Sequence, residues 1–276
     1  MKDMRRNVLF CLFTAVVFVF LLSGTITAWP AVAVAGDTSV SFEPVPGGAV
    51  TLNYALDTQK KLKVMVEKNG KALYYNLKGG SGTEVFPLQM GSGTYTFALL
   101  ENLDGNRYKV VAKKTMDVNI ENNLNVYLQS VQIVKWDYND AAVKKAAELT
   151  KGLQSDGEKV AAIYNYVVKN YNYDYGKLGA LPSDYVPDIN RTEREKKGIC
   201  YDFSSLFASM LRSVGIPTKL VKGYATGVEG YHAWNEVYIG GKWYIVDTSY
   251  DIQMREKGVS YQMYKKAENY NKVSEF

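Results

Sequence analysis

The stretch Gly230–Asp251 reads GYHAWNEVYIGGKWYIVDTSYD and contains His232, the only histidine among the 276 residues. Apolar and polar residues alternate on both sides of Gly240-Gly241. Alternation around two glycines is typical of a β-hairpin closed by a two-residue turn. The stretch therefore predicts two paired antiparallel strands, with the single imidazole near the far end of the first strand.

The turn also predicts a register for the hairpin. If Ile239 opposes Lys242, then Trp234 opposes Asp247, which becomes the diagonal neighbour of His232. Side chains alternate along a strand, so all three would lie on one face. We expect Asp247 to accept a hydrogen bond from one ring nitrogen of His232, while the other nitrogen faces a nucleophile. Trp234 would shield this pair from water, or it is an ordinary core tryptophan.

A helix that begins at a cysteine is predicted in Gly198–Pro217, GICYDFSSLFASMLRSVGIP. Its apolar residues recur at helical spacing, and Cys200 falls at the start of the helix, where free N–H groups and the helix dipole stabilise a thiolate. A buried, inert cysteine on the apolar face is the alternative. We interpret Asp202 as favouring the helix N-terminus and pointing away from the thiol.

Three blocks in this order, Gly198–Phe203, Gly215–Pro217 and His232–Val237, followed by Trp243 and Val246-Asp247, resemble the transglutaminase-like superfamily, whose core is papain-like. The resemblance covers about residues 156–250. It implies an α+β catalytic domain in which Cys200 is the nucleophile, His232 its base, and Asp247 the residue that orients the histidine.

An oxyanion formed at this site needs two hydrogen-bond donors. The backbone N–H of Cys200 is one candidate. For the second donor, the resemblance to bacterial members of the superfamily indicates Tyr173, with Tyr171 as the alternative. Zinc usually needs three or four protein ligands, mostly His and Cys, so we expect no metal and no cofactor.

The region before this core is predicted to be all-β. Residues 36–135 contain about seven short strands with turns between them, including an Asn69-Gly70 hairpin turn and a last strand over residues 126–133. This pattern is typical of an immunoglobulin-like β-sandwich. Such a domain would serve as a spacer, or it would attach the protein to a surface or partner.

The hydrophobic period changes to that of a helix after Trp136, which predicts a catalytic domain over residues 136–276. The first helix would begin after Asn139 or Asp140 and end near Leu153, and a second would begin after Ser155-Asp156. The long segment that follows, up to residue 197, would form a wall or lid of a cleft, or a solvated surface.

Residues 1–35 have the features of a secretory signal peptide: early basic residues, an apolar run, and Ala33-Val34-Ala35 as a cleavage site. Cleavage would remove three positive charges and one negative charge, so the net charge of +5 would become +3. It would also remove Cys11, which leaves Cys200 as the only thiol. We expect a secreted or cell-surface protein, or a membrane-anchored one if the segment is not cleaved.

The reaction that the resemblance implies is acyl transfer from an amide or peptide bond through a thioester. Water as the acceptor gives a peptidase or amidase, which we favour because water needs no dedicated acceptor site. An amine as the acceptor gives a cross-linking transglutaminase, and a non-catalytic surface or wall-binding protein is the third alternative. The expected partner is a protein or peptide substrate, including one at a cell surface. The mild charge gives no argument for nucleic acid.

Overall fold

The computed structural model describes residues 39–182 and 184–276, and this part of the chain forms one compact unit. The predicted signal peptide lies outside the described residues. No helix within these two ranges has the length and apolar character needed to cross a bilayer.

The N-terminal half is β-rich and contains two antiparallel sheets. The first has three strands in the order β1-β2-β5, and the second has four in the order β4-β3-β6-β7. Their inward-facing side chains form a common hydrophobic cluster. The strands are β1 (Ser39–Val45), β2 (Ala49–Ala55), β3 (Leu62–Lys68), β4 (Lys71–Leu77), β5 (Ser81–Pro87), β6 (Gly93–Asp104) and β7 (Arg107–Val118).

The Asn69-Gly70 hairpin turn is confirmed, and it joins β3 to β4 with Lys68 opposite Lys71. Both turn residues have positive φ, 53° for Asn69 and 78° for Gly70. This conformation follows the right-handed twist of the flanking strands, and Asn-Gly is the pair that adopts it most readily.

The strand predicted over residues 126–133 is wrong. A 3-10 helix spans Asn123–Leu128, capped by the Asn122 side chain, which accepts from the N–H of Leu124. Val131 and Val134 then pair with each other in a tight turn. Their side chains are buried with Ala208 of a later helix and Leu220 of a later strand. The N–H of Gln132 between them donates a 2.8 Å hydrogen bond to the carbonyl of Val85 on β5, without the continuous pairing of a strand.

The C-terminal half is α+β. A five-stranded antiparallel sheet in the order β13-β12-β11-β10-β14 packs against helices, and β8 and β9 form a separate parallel pair. The elements are α1 (Ala141–Thr150), α2 (Asp156–Asn170), β8 (Asn172–Tyr173), α3 (Ile189–Glu195), β9 (Lys197–Gly198), α4 (Cys200–Ser213), β10 (Thr218–Ala225), β11 (His232–Ile239), β12 (Lys242–Val246), α5 (Thr248–Glu256), β13 (Tyr264–Lys265) and β14 (Tyr270–Glu275).

The predicted helix starts are confirmed, whereas one predicted end is not. Asp140 precedes α1, and Ser155 caps α2 in a reciprocal capping box with Glu158. Helix α1 ends at Thr150 rather than near residue 153. Gly152 lies two residues further on with a φ of +81°, a backbone conformation that glycine adopts easily and that does not continue a helix.

Helix α4 is the central element of this half. It packs against α1, α2, α3, α5 and the strands β10 and β11, and nearly all of its residues are buried. Its apolar side chains lie in the largest cluster of this half, among them Phe203, Leu206, Phe207, Met210 and Leu211. This packing fixes the N-terminal end of α4, and with it Cys200, against the sheet.

Strand β14 is hydrogen-bonded to β10 and also contacts the N-terminal half. Glu275 accepts a hydrogen bond of 2.7 Å from the hydroxyl of Tyr127, and its backbone carbonyl accepts one of 3.0 Å from Gln89. The buried guanidinium of Arg212 donates to the backbone carbonyls of both Gln129 and Phe276. The last strand is thus shared between the two halves. The domain boundary at residue 135 stays a prediction.

Candidate active site

The thiol of Cys200 lies at the first residue of α4, as the sequence predicts. Ile199 before it is extended, with φ −112° and ψ −179°, so the helix begins abruptly at the cysteine. Cys200 is 8 % exposed and is a free cysteine. The first turn of a helix leaves N–H groups without intrahelical partners, so Cys200 lies at an end of α4 that can donate hydrogen bonds.

The imidazole of His232 begins strand β11, opposite Gly223 of β10. A Cβ atom at Gly223 would lie 2.8 Å from the ring of Trp234 and 2.1 Å from the carbonyl oxygen of Asn271. A side chain at position 223 therefore does not fit between these neighbours. The bare backbone at this position lets Trp234 and strand β14 approach closely beside the histidine.

The predicted hairpin register is confirmed from Ile239 opposite Lys242 to Asn235 opposite Val246. The extension that placed Trp234 opposite Asp247 is wrong, because β12 ends at Val246. Asp247 is instead the N-cap residue of α5, and its Oδ1 accepts a 2.9 Å hydrogen bond from the N–H of Tyr250.

The predicted contact between His232 and Asp247 nevertheless forms. The Nε2 atom of His232 lies 2.8 Å from Oδ2 of Asp247, and both side chains are almost fully buried. Cys200 also interacts with the ring, and this interaction helps to raise the pKa of His232. Since Nε2 is occupied by the carboxylate, Nδ1 is the nitrogen left for the thiol. The three residues named from the sequence thus come from α4, β11 and the start of α5 and meet at one point.

Electrostatic interactions favour a charged pair here. Burial opposes the positive charge of His232, but the charge of Asp247 and the hydrogen bonds to Asp247 and Cys200 outweigh it and raise its pKa to about 10. Burial likewise opposes the charge of Asp247, but the attraction of His232 and hydrogen bonds from His232, Tyr250 and Tyr270 lower its pKa. Imidazolium and carboxylate stabilise each other, as a thiolate partner requires.

Trp234 covers the histidine. Its ring is 1 % exposed and lies 6.2 Å from the imidazole ring, at an interplanar angle of 26°. Tyr270 packs edge-on against Trp234 and donates a 3.0 Å hydrogen bond to Oδ2 of Asp247. Sequence reasoning missed Tyr270, since it lies outside the hairpin and reaches the site only through the pairing of β14 with β10.

Of the two tyrosines considered for the oxyanion, Tyr173 lies at Cys200 and Tyr171 does not. The hydroxyl of Tyr171 donates to Glu193, whereas the backbone N–H of Cys200 lies against the hydroxyl oxygen of Tyr173. Tyr173 is 8 % exposed, on β8. Its role as an oxyanion donor stays a prediction.

Asp202 is completely buried and belongs to the helix start, as interpreted from the sequence. Its Oδ2 accepts hydrogen bonds from the N–H of Ile199 at 2.9 Å and from Nζ of Lys177 at 2.6 Å, and its Oδ1 accepts from the hydroxyl of Tyr185. Lys177 and Tyr185 belong to the long segment between β8 and α3. The carboxylate thus holds that segment against the first turn of α4.

Residues 143–248, which include Cys200, His232 and Asp247, match the family model of the transglutaminase-like superfamily. This match supports a transglutaminase-like core over those residues. The mouse kyphoscoliosis peptidase is 32 % identical over 117 residues, which cover 38 % of this chain and 17 % of the peptidase. The uncharacterized protein YebA of Bacillus subtilis is 27 % identical over 213 residues, 70 % of this chain and 27 % of YebA. The chain thus spans only a small part of the length of these relatives.

Two solved structures show a weaker likeness. A protein from Cytophaga hutchinsonii, described provisionally as a cysteine protease, aligns with a TM-score of 0.41 and 18 % identity, over 77 % of this chain and 74 % of its own. A red sea bream transglutaminase aligns with a TM-score of 0.28 and 12 % identity, over 74 % of this chain and 48 % of its own.

Proposed function

We propose that this protein is an exported, cysteine-dependent acyl-transfer enzyme that cleaves amide or peptide bonds through a thioester. One observation carries the proposal: Nε2 of His232 is bonded to the buried carboxylate of Asp247 at 2.8 Å, and the imidazole interacts electrostatically with Cys200 at the start of a helix. This is the arrangement of nucleophile, base and orienting acid that thiol catalysis needs.

The chemistry follows from these contacts. The thiolate sulfur of Cys200 attacks the amide carbonyl carbon, and the carbonyl becomes an oxyanion. The oxyanion collapses, the C–N bond breaks, and the imidazolium of His232 gives its proton to the departing amine nitrogen. The product of this half-reaction is a thioester on Cys200 and a free amine.

Water then resolves the thioester. Neutral His232 takes a proton from water as the oxygen attacks the carbonyl carbon, and the C–S bond breaks to release a carboxylic acid and the thiolate. Asp247 keeps its charge throughout, because its role is to hold the imidazole in one tautomer and to balance the imidazolium. A primary amine in place of water would make the same site a cross-linking transglutaminase.

Mass spectrometry of the acyl-enzyme on a peptide library tests the proposal. We expect a mass increase on Cys200 that disappears with time in water, and no such adduct in Cys200→Ala. Repeating the reaction with a primary amine separates the two acceptors, because transfer yields an amide product of the added amine. A protein that forms no adduct with any library member and shows an unreactive thiol would be a non-catalytic surface protein.

We further propose that the β-rich half is an immunoglobulin-like sandwich and that the chain is exported. The strand order β1-β2-β5 facing β4-β3-β6-β7 supports the first proposal, since two antiparallel sheets over one core is the layout of such sandwiches. The basic start, apolar run and Ala33-Val34-Ala35 support the second. The substrate would then be a protein or peptide outside the cell or on its surface.

A further inference from the structure

Tyr270 lies on β14, beyond the residues that match the superfamily, yet it contacts the centre of the site. Its hydroxyl donates to Oδ2 of Asp247 at 3.0 Å, and the same oxygen lies 2.8 Å from Nε2 of His232. The other oxygen, Oδ1, accepts from the N–H of Tyr250. The carboxylate thus has one oxygen for the helix start and one oxygen shared between the histidine and the tyrosine.

The surroundings hold the Tyr270 ring in this position. Its backbone is opposite Ala225 in the pairing of β14 with β10. Its ring meets that of Trp234 edge-on, with the centroids 5.0 Å apart. A side chain fixed at both its backbone and its ring loses little further freedom when its hydroxyl makes a hydrogen bond. The tyrosine is therefore preorganised toward the carboxylate.

We propose that Tyr270 is a positioning residue of the site: its hydroxyl fixes Oδ2 of Asp247 and takes up part of the negative charge that this oxygen would otherwise offer to His232 alone. This inference rests on the proposed function, because it assigns a purpose to the sharing of that oxygen. The histidine has to hold a proton beside the thiolate and then release it to the departing amine. An Oδ2 atom that accepted only from His232 would hold that proton too tightly.

The other titratable groups around Asp247 and His232 come from several elements, and Tyr270 is the one that donates a side-chain hydroxyl to the shared oxygen. Cys200 faces the imidazole from α4, and Tyr173 and Tyr164 interact with Asp247 from β8 and α2. Asp251 on α5 adds a second negative charge, with Lys265 of β13 beside it. None of these groups changes in Tyr270→Phe, which removes only the hydroxyl.

Nuclear magnetic resonance of the single histidine tests the inference without any substrate. The full chain is prepared without a histidine tag and with ¹⁵N-labelled histidine, so that all imidazole signals belong to His232. In Tyr270→Phe we expect the His232 titration midpoint to rise by about 0.5 to 1 pH unit, because one hydrogen bond to the carboxylate is lost. The Nε2–H proton should also move downfield.

Tyr264→Phe is the matched control. Tyr264 lies in the same C-terminal segment and pairs with Val246, directly before Asp247, but its ring contacts Tyr244 and not the carboxylate. We expect the His232 midpoint of this variant to equal that of the wild type. An equal rise in both variants would mean that general loosening of the segment, and not the hydroxyl of Tyr270, causes the effect, and the inference would be overturned.

A double-mutant cycle shows whether the effect passes through Asp247. In an Asp247→Asn background, adding Tyr270→Phe should leave the His232 midpoint unchanged, since the shared charge is gone. A rise of the same size in that background overturns the inference. If Tyr270→Phe does not fold, a fluorinated tyrosine at position 270 keeps the ring and makes the hydroxyl a stronger donor, and the midpoint should then fall.

These outcomes are separate from those of the proposed function. Suppose that the His232 midpoint rises in Tyr270→Phe as expected but that no peptide forms an acyl-enzyme. This result would contradict the enzyme activity and leave the coupling of Tyr270 to Asp247 intact. Wild-type midpoints in Tyr270→Phe together with a trapped acyl-enzyme would overturn the positioning role alone.

Discussion

Asp247→Asn tests the centre of the site most directly, because the structure limits how an amide can fit there. The carboxylate is fully buried and accepts from three donors: the N–H of Tyr250 on Oδ1, and His232 and Tyr270 on Oδ2. An asparagine has only one oxygen. It can keep the helix cap with its oxygen on the Tyr250 N–H, or it can offer that oxygen to the histidine.

Each choice has a cost that can be estimated. Keeping the cap points the amide NH₂ at Nε2 of His232, which places the proton on Nδ1 and leaves the histidine unable to accept the proton of Cys200. Turning the amide around restores the tautomer with the proton on Nε2. It also brings the amide NH₂ against the N–H of Tyr250, so that two donors face each other at the start of α5, and losing an N-cap costs about 1 kcal/mol. The cap alone therefore biases the imidazole to the inactive tautomer about fivefold or more, since about 1.4 kcal/mol is tenfold.

Loss of the negative charge adds to this bias. The carboxylate is what raises the pKa of His232 to about 10 against the opposing effect of burial. Without it the imidazolium of the ion pair loses its stabilising partner. Together we expect turnover to fall about a hundredfold to ten-thousandfold, in the range known for removal of an orienting acid, with the fold retained.

Alkylation of Cys200 by iodoacetamide measures the effect without a substrate, in a Cys11→Ser background that leaves one thiol. We expect the half-maximal alkylation rate of Asp247→Asn to move to higher pH. Thr248→Val is the control, since this neighbouring hydroxyl is buried without a partner and its removal should leave the profile unchanged. An unchanged profile in Asp247→Asn, or an equal shift in Thr248→Val, would refute the assignment of the third residue.

Three further outcomes are expected. Cys200→Ala should lower amide cleavage or transfer at least about a thousandfold in a product-release assay, and retained activity would exclude the thioester route. Because the pKa of His232 is raised from 6.5 to about 10 on folding, its contribution to stability is fully present below pH 6.5 and is lost as pH rises through 10. Urea midpoints should therefore fall over this range, and less steeply in Asp247→Asn. N-terminal sequencing of secreted protein should find a start near Gly36, and Met1 in a membrane fraction would indicate an anchor.

The hairpin and the helix start could be predicted because local chemistry determines them. Gly240-Gly241 sets the register of β11 and β12, and that register holds as far as Val246. It fails at the next residue because the side chain of Asp247 caps a helix, and a helix start ends the strand. Asp247 before a helical run was a signal for this, since Asp is a preferred N-cap residue, but the alternation of the preceding strand concealed it.

Other features depended on contacts distant in sequence. Within residues 126–133, Val126 and Tyr127 join the cluster of the β-rich half, whereas Val131 and Ile133 pack with Ala208 of α4 and Leu220 of β10. The hydroxyl of Ser205 on α4 donates to the carbonyl of Ile133. Tyr270 reaches Asp247 only because β14 pairs with β10 at the edge of the sheet. Tyr270 and Asp247 are 23 residues apart in the sequence. The local hydrophobic pattern around Tyr270 does not indicate which distant strand β14 pairs with, so a single sequence does not identify this contact.

The sharing of β14 between the two halves has a consequence for cooperativity. Its last residue, Glu275, is bonded to Tyr127 and Gln89, and its first residue, Tyr270, is bonded to Asp247. A strand held at one end by the β-rich half and at the other by the site should open only when one of those anchors opens. Amide hydrogen exchange in β14 would then report the stability of both halves at once. A core mutation such as Phe97→Ala should speed exchange at Glu275 before it disturbs the helices around Cys200.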